Sequence, residues 1–217
     1  MTNQTSSSAY RANRFRGPFN SFFFWAMDGL LNHYLRPHKR RLFESLPPDV
    51  VELGSGVGAN FRYLAPGSTV IAIEPNPAMR SRLESAARRR NILLHLHATS
   101  AEAIDLADSS VDAVISSLVL CTVEQPSRAV AEVLRVLRPG GRYTFVEHVA
   151  ARHGSFTARL QRILRRPWGY VFEGCSCERD LRSVIESAGF STSVIEDYRI
   201  RSPFISFNTQ IAGVATK

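Results

Sequence analysis

The sequence has few cysteines, little lysine and no long apolar run, and each scarcity excludes a class of protein. Its 217 residues contain three cysteines, an odd number that excludes a framework of disulfides. Cys175 and Cys177 stand too close together for the usual zinc-ligand spacing, so we expect no metal site. Unpaired thiols also indicate a reducing, cytoplasmic compartment. The most apolar early stretch, residues 19–35, is interrupted too often by polar residues to cross a membrane.

Lysine occurs only at Lys39 and Lys217, although the chain has 27 basic residues and a formal net charge of +8. The positive charge is therefore almost entirely arginine. A basic surface can bind nucleic acid or an anionic membrane, but arginines scattered over a solvated surface give the same net charge. Because the arginines are spread along the chain, we expect no nucleic-acid partner, and peripheral membrane contact is not favoured.

A proline pair at residues 47–48 separates two regions of different pattern. Residues 1–47 are predicted to form an N-terminal arm and a helical cap, with aromatic residues at helical spacing over residues 19–35 and a break at Pro37. In residues 48–217, predicted strands alternate with helices, and a closing strand pair that could form an antiparallel hairpin follows. This alternation predicts an α/β domain with a doubly wound, mostly parallel, seven-stranded sheet.

A helical insertion is predicted near residues 152–177. Its first part carries five arginines and no acid over residues 152–166. Its apolar residues follow helical spacing and predict a face that packs on the core: Phe156, Leu160, Ile163 and Leu164. The position of the insertion makes contact with the substrate the favoured role, and contact with anionic lipid the less favoured one.

A glycine-rich loop follows the first predicted strand. Gly54, Gly56 and Gly58 let the backbone turn tightly and approach a ligand where a Cβ would collide. Their spacing differs from the dinucleotide fingerprint G-x-G-x-x-G, which disfavours an NAD-dependent dehydrogenase. Glu52 precedes the loop, and its carboxylate would repel a pyrophosphate but suits a cationic ligand. Glu74 ends the second predicted strand, where a carboxylate can accept both hydroxyls of a ribose.

These motifs resemble those of class I S-adenosylmethionine-dependent methyltransferases. The resemblance is carried by residues 51–58, Glu74, the loop at residues 99–102 and the run Leu137-Arg138-Pro139-Gly140-Gly141. It implies a Rossmann-like methyltransferase fold and S-adenosylmethionine as the cofactor. In that family the first loop contacts the methionine part, the position of Glu74 binds ribose, and the loop after the third strand meets adenine.

The resemblance assigns cofactor binding to a set of residues at the ends of the strands. These are Glu52, Gly54, Ser55, Gly56, Gly58, Glu74, Pro75, Ser100, Ala101, Glu102, Ser117 and Leu118. One of them departs from the family pattern, since Ser100 stands where an aspartate usually receives the adenine amino group. Serine can accept that hydrogen bond without a charge, so the contact should be weaker, and the Ala101 N–H can still donate.

A narrower resemblance is to the methyltransferase-like-seven group, whose animal members are alkyl thiol S-methyltransferases. It spans about residues 48–180 and implies a thiol acceptor. Five runs carry it: Gly56-Val57-Gly58-Ala59-Asn60-Phe61, Glu74-Pro75-Asn76-Pro77, Leu118-Val119-Leu120-Cys121-Thr122-Val123, Phe145-Val146-Glu147-His148-Val149-Ala150 and Phe172-Glu173-Gly174-Cys175.

Methyl transfer from a sulfonium is a direct displacement, so the protein must align the nucleophile and exclude water. His148, near the end of the fifth predicted strand, is the candidate base, and a packed or capping histidine is the alternative. Alternation along the strand places Glu147 on the opposite face. The predicted substrate pocket is formed by Phe22, Cys121, Trp168 and Cys175, with a small buried apolar role as the alternative for Cys121.

The predicted function is S-adenosylmethionine-dependent methyl transfer to a small, fairly apolar molecule, with a thiol as the preferred acceptor. Only the narrower resemblance favours sulfur, so O-, N- or C-methylation of quinone-like or natural-product substrates stays open. A cofactor-binding protein without catalysis is the non-enzymatic alternative. Modification of adenine or glutamine is disfavoured, because Ser116-Ser117-Leu118-Val119 replaces the Asn/Asp-Pro-Pro-Tyr/Phe tetrapeptide of those enzymes.

Overall fold

The computed structural model describes residues 13–217, and its central element is one sheet of seven strands. The strands are β1 (Asp49–Leu53), β2 (Thr69–Ile73), β3 (Leu93–His97), β4 (Val111–Ser117), β5 (Leu137–His148), β6 (Thr192–Arg199) and β7 (Thr209–Thr216). Their order in the sheet is β3-β2-β1-β4-β5-β7-β6. Strands β1 to β5 run parallel, and β7 pairs antiparallel with both β5 and β6. The predicted fold class is therefore confirmed, including the antiparallel closing pair.

In the described part of the chain, five α-helices surround the sheet: α1 (Arg16–Phe43), α2 (Arg80–Arg90), α3 (Pro126–Val136), α4 (Phe156–Val171) and α5 (Leu181–Glu186). Neighbouring residues of β1 pack into different cores, because successive side chains of a strand point to opposite faces. Val51 and Leu53 pack with α3 and α5, whereas Val50 packs with α2. A third cluster places α1 against β4, β5 and β7 through Leu35 and Phe43. Burial on both faces explains why β2 is almost continuously apolar.

Helix α1 is a single helix of 28 residues that contains Pro37, so the predicted break at this proline is wrong. A proline inside a helix costs about 3 kcal/mol, but Leu35 and Phe43 on either side of it are fully buried against the sheet. Packing on both sides offsets that cost. The helix begins at Arg16, within the region predicted as arm and helical cap, and residues 1–12 of that region lie outside the described residues.

Other boundaries also differ from the sequence prediction. The Asn76-Pro77 pair is typical of a helix start, with asparagine as the cap and proline at the first helical position, but α2 begins at Arg80. The Asn76 side chain instead closes a local turn by accepting the Ala78 N–H at 3.0 Å. In α4 the predicted core face is wrong in part, since Phe156 and Ile163 are exposed. The buried positions are polar instead: Thr157 and Gln161, the latter bonded to the Val149 and Ser206 carbonyls.

The carboxyl ends of β1, β2, β4 and β5 meet at one edge of the sheet, where the strand order reverses between β1 and β4. Open α/β sheets bind their ligands at such a reversal. The N-terminal half of α1 and the C-terminal end of α4 cover this edge, and the Asn20 amide joins them by donating to the Val171 carbonyl at 2.8 Å. Within residues 13–217, no helix has both the length and the apolarity that a bilayer crossing requires. The domain division at residues 47–48 stays a prediction.

Candidate active site

A cavity of about 970 Å³ opens at this edge of the sheet. Its volume suits a ligand of nucleoside size together with a small second molecule. Of the residues predicted for the cofactor, the following line it: Gly54, Ser55, Gly56, Glu74, Pro75, Ser100, Ala101, Glu102, Ser117 and Leu118. The predicted acceptor residues Cys121, His148, Trp168 and Cys175 line it too. The cavity therefore brings most of both predicted sets together.

The glycine loop turns at the end of β1 with Gly54, Gly56 and Gly58 in the left-handed region, Gly58 at φ +78°. Gly54 has φ +55° and Gly56 has φ +53°, and the Gly56 N–H donates to Glu74 Oε2 at 2.8 Å. A Cβ built on Gly56 would come no closer than 3.8 Å to another atom, so the space beside it is open to the cavity. A Cβ on Gly58 would lie 2.7 Å from that of Ala86. Gly58 therefore serves close packing on α2 and does not line the cavity, contrary to its predicted role.

Glu74 lies on the cavity wall just after β2, with both carboxylate oxygens fixed by backbone. Besides the Gly56 N–H, it accepts the Asn76 N–H at 2.8 Å through Oε1. Burial raises the pKa of its carboxyl to about 7, although the two backbone hydrogen bonds favour the charged form. Each oxygen keeps a further acceptor position, so the carboxylate is oriented for a donor inside the cavity.

Glu52 does not line the cavity, in contrast to its predicted place in the cofactor site. It is fully buried behind the glycine loop, where Asn60 Nδ2 donates to its Oε1 at 2.6 Å. Lys39 Nζ in turn donates to Asn60 Oδ1 at 2.8 Å, and both Lys39 and Asn60 reach the cavity wall. Burial raises the pKa of Glu52 to about 7 and lowers that of Lys39 to about 8. The sequence analysis missed Lys39, because a lysine beside arginines resembles a solvated surface.

The loop after β3 forms the wall predicted for adenine. The Ser100 hydroxyl donates to Glu102 Oε2 at 3.1 Å and accepts the Glu102 N–H at 3.3 Å. Glu102 also accepts the Gln125 N–H, which ties this loop to the start of α3. The Ser100 side chain is thus held within its own turn, and its oxygen faces a carboxylate.

The loop after β4 is held by a buried carboxylate on the neighbouring strand. Glu147 accepts the Val119 N–H at 2.9 Å, the Leu120 N–H at 3.2 Å and the Ser116 hydroxyl at 2.7 Å. These bonds support Leu118 in the left-handed region at φ +62°, a conformation that is costly for a side chain of this kind. As strand alternation predicts, Glu147 points away from the cavity, and His148 points into it.

The hydroxyl of Ser117, at the start of the same loop, is buried without a hydrogen-bond partner in the described part of the chain. Ser117 also lines the cavity. A buried hydroxyl without a partner is costly. Its place on the cavity wall means that a bound polar ligand would satisfy it.

The other end of the cavity is apolar and contains a cluster of sulfur and imidazole. Phe23, Phe172 and Trp168 form an aromatic wall, with ring centroids 5.1 Å apart for Phe23 and Phe172 and 4.6 Å apart for Trp168 and Phe172. Phe22, which was predicted to line the pocket, is 55% exposed and does not. Its successors Phe23 and Phe24 line the cavity instead.

Cys175 is the centre of that cluster. Its Sγ lies 3.1 Å from His148 Nε2, 3.5 Å from Cys121 Sγ and 3.3 Å from Trp168 Nε1, whose N–H donates to it. The Cys121 thiol, together with Cys177 and His148, stabilises the Cys175 thiolate and holds its pKa well below the usual range. Burial disfavours a charged His148, but the Cys175 thiolate beside it outweighs burial and raises the pKa of the imidazole. The two groups therefore favour an ion pair.

Comparisons with known proteins show the same fold in solved structures, and they show the family through relatives of similar sequence. Residues 51–145 match the methyltransferase domain family. The human thiol S-methyltransferase TMT1A is 34% identical over 199 residues, which cover 87% of this chain and 82% of that protein. The human thiol S-methyltransferase TMT1B is also 34% identical, with 86% of this chain and 81% of that protein covered. A SAM-dependent methyltransferase from Thermotoga maritima shares the fold, with a TM-score of 0.64, 19% identity, and 93% and 99% of the two chains covered.

Proposed function

Because the chain belongs to the class I S-adenosylmethionine-dependent methyltransferases, in the family of the thiol S-methyltransferases, we propose that it methylates the sulfur of a small, apolar thiol. The enzyme class and the cofactor follow from the family. The acceptor and the residues in contact with it are our proposal. The three cysteines are free thiols, which supports our further proposal that the protein works in a reducing, cytoplasmic compartment.

The residues on the cavity wall fit the cofactor. The open space at Gly56 admits a ligand against the backbone, and the orphaned Ser117 hydroxyl is available to a polar one. We assign ribose to Glu74 and adenine to the loop at residues 100–102. Lys39 and Asn60 are assigned to the amino-acid part, because the Lys39 ammonium suits a carboxylate. When bound, S-adenosylmethionine supplies a methyl group on a positively charged sulfur.

The observation that carries the acceptor proposal is the chemistry at the far end of the cavity. An aromatic wall receives an apolar body, and His148 and Cys175 stand beside it at 3.1 Å from each other. A thiol has a pKa near 8.5, so a neighbouring imidazole or cation gives it a useful thiolate fraction. We propose that His148 promotes ionisation of the acceptor, while the aromatic side chains position it and exclude water.

A matched screen tests the proposal. The protein is incubated with methyl-labelled cofactor and with thiophenol, phenol or aniline, which share a ring and differ in the acceptor atom. We expect labelled product from thiophenol, with a rate that rises as the thiol ionises. Product from phenol or aniline alone would overturn the sulfur assignment in favour of O- or N-methylation. Cofactor binding without any product would favour the non-catalytic alternative.

A further inference from the structure

We propose that Cys121, His148 and Cys175 form a three-ligand site for zinc, whose fourth position opens to the cavity and takes the sulfur of the acceptor. The metal site itself stands on the geometry of these three residues. The role given to its fourth position rests on the proposed function. The spacing of cysteines along the sequence excludes a zinc finger, but it says nothing about ligands from distant segments. In this fold, three segments that are distant in sequence bring the side chains of Cys121, His148 and Cys175 together.

The ligand atoms have the separations that zinc needs. Cys121 Sγ, His148 Nε2 and Cys175 Sγ all lie within 4.8 Å of one another. The two short separations are 3.1 Å from His148 Nε2 to Cys175 Sγ and 3.5 Å between the sulfurs. In a tetrahedral site with Zn–N of about 2.0 Å and Zn–S of about 2.3 Å, ligand atoms lie about 3.5–3.8 Å apart. An ion among these atoms would therefore need only small side-chain shifts.

The ligand types also select the metal. Two thiolates and an imidazole are soft and borderline donors, which favour zinc over magnesium or calcium. Three protein ligands with an open fourth position are the pattern of catalytic zinc sites. Two thiolates neutralise the charge of Zn²⁺, so the occupied site would carry no net charge inside an apolar pocket.

Three separate elements fix the ligands. His148 ends β5. Cys121 follows β4 on the loop clamped by Glu147, and its carbonyl accepts the Ser176 N–H at 2.8 Å. The Cys175 N–H donates to the Phe172 carbonyl at 2.9 Å, and Trp168 donates to the Cys175 sulfur. An N–H donor to a ligand sulfur is the kind of supporting contact that orients metal ligands and tunes the bound metal.

The chemistry follows from the open position. The acceptor sulfur becomes the fourth ligand, its S–H bond breaks, and the proton goes to solvent. The sulfur keeps both electrons of that bond and donates one pair to the metal, while its other lone pairs stay available to attack carbon. In this arrangement His148 activates the thiol as a metal ligand, and no protein base has to take the proton. A methylated sulfur is neutral and a weaker ligand, so the product would dissociate.

Metal binding is tested on the full chain, purified without a histidine tag. Zinc is measured by mass spectrometry, and the chelated protein is then loaded with Co²⁺ and followed by its visible spectrum. We expect about one zinc per chain and a tetrahedral cobalt spectrum with thiolate charge transfer. Cys121→Ser and Cys175→Ser should each lower zinc affinity at least about tenfold. Cys177→Ser is the matched control. Cys177 is a buried thiol that contacts Cys175 but contributes no ligand atom to the group, and serine keeps a donor in its place, so this variant should keep the metal.

A wild-type protein that takes up neither zinc nor cobalt would overturn the site, as would equal metal loss in Cys177→Ser. If the two ligand variants fail to fold, the wild-type cobalt spectrum decides, because thiolate charge transfer appears only when cysteine binds the metal. Two further results separate this inference from the proposed function. Full thiol methylation by metal-free protein would overturn the role of the metal and leave the function standing. A cobalt spectrum that thiophenol shifts, without methylation, would support the site and overturn the function.

Discussion

The two ends of the cavity are built in different ways. The cofactor end is made largely of backbone and of residues that directly follow the strands, such as Gly56 after β1 and Glu74 after β2, which are joined by a single N–H to carboxylate bond. The acceptor end is made of side chains from α1, the loop after β4, β5, α4 and the segment after α4. Its defining contact, between His148 and Cys175, joins residues 27 positions apart. The first kind of site leaves a local motif in the sequence, and the second leaves only isolated residues.

The largest expected effect is on turnover, and it should come from a substitution at the acceptor end that leaves cofactor affinity unchanged. His148→Ala should lower turnover by about 10²–10⁴-fold with a weakly acidic acceptor, because ionisation of the acceptor loses its support. Cofactor affinity, measured by calorimetry, should hardly change. The control is His153→Ala, which removes an exposed histidine from the segment between β5 and α4. A matching loss of melting temperature would instead assign His148 a packing role, and full activity would remove it from catalysis.

At the cofactor end, Glu74→Ala should weaken S-adenosylmethionine binding by about 1–3 kcal/mol, through loss of charged hydrogen bonds to ribose. Calorimetry with the cofactor and with its demethylated product measures the effect. The control is Glu84→Ala on the solvent side of α2, where a partly exposed ion pair contributes little. An unchanged affinity in Glu74→Ala would contradict the ribose assignment and weaken the contrast between the two ends.

The carboxylate behind the glycine loop makes stability depend on pH. Burial raises the pKa of Glu52 to about 7, so between its unfolded value near 4.5 and pH 7 the folded chain holds a proton that the unfolded chain has lost. The contribution of Glu52 to the free energy of unfolding is therefore highest below pH 4.5 and is lost as pH rises through about 7. Glu52→Gln removes this penalty. It should raise the free energy of unfolding by about 1–3 kcal/mol at pH 8 and change it little at pH 5.

Denaturant unfolding at the two pH values checks this dependence. Gln can keep the contact with Asn60, so the comparison isolates the charge. A substitution that is equally stabilising or destabilising at both pH values would mean that Glu52 stays ionised in the fold.

The smallest expected effect comes from a pair of glycine substitutions, which separates the cost of backbone strain from the loss of space for a ligand. Gly56→Ala and Gly67→Ala both place a Cβ on a residue with positive φ, +53° and +88° respectively. Each should lose about 1–2 kcal/mol of stability. Only Gly56 borders the cavity, and Gly67 has nothing within 4 Å of the added Cβ. Cofactor affinity should fall in Gly56→Ala alone. Equal affinities in the two variants would show that the cofactor does not approach this loop.

The sequence was informative where structure is local. Gly54, Gly56 and Glu74 were placed by the order of strand, loop and strand, and the sheet follows from the same alternation. Phe22 was misplaced because a helix turns by about 100° per residue, so an error of one position moves a side chain off the cavity. Lys39 was missed because nothing local distinguishes a buried lysine from a solvated one. The break at Pro37 failed because burial of Leu35 and Phe43 is a tertiary effect.

By accepting hydrogen bonds from the loop after β4, Glu147 fixes a segment that lines both ends of the cavity. Ser117 and Leu118 line the end of the cavity assigned to the cofactor, and Cys121 lines the end assigned to the acceptor. The residues between them are held by one carboxylate, because the Val119 and Leu120 N–H groups both donate to Glu147. In the function proposed above, this segment sets the spacing between the methyl donor and the acceptor. Variation in the aromatic wall could therefore change which molecule is accepted, while the distance over which a methyl group must travel stays constant.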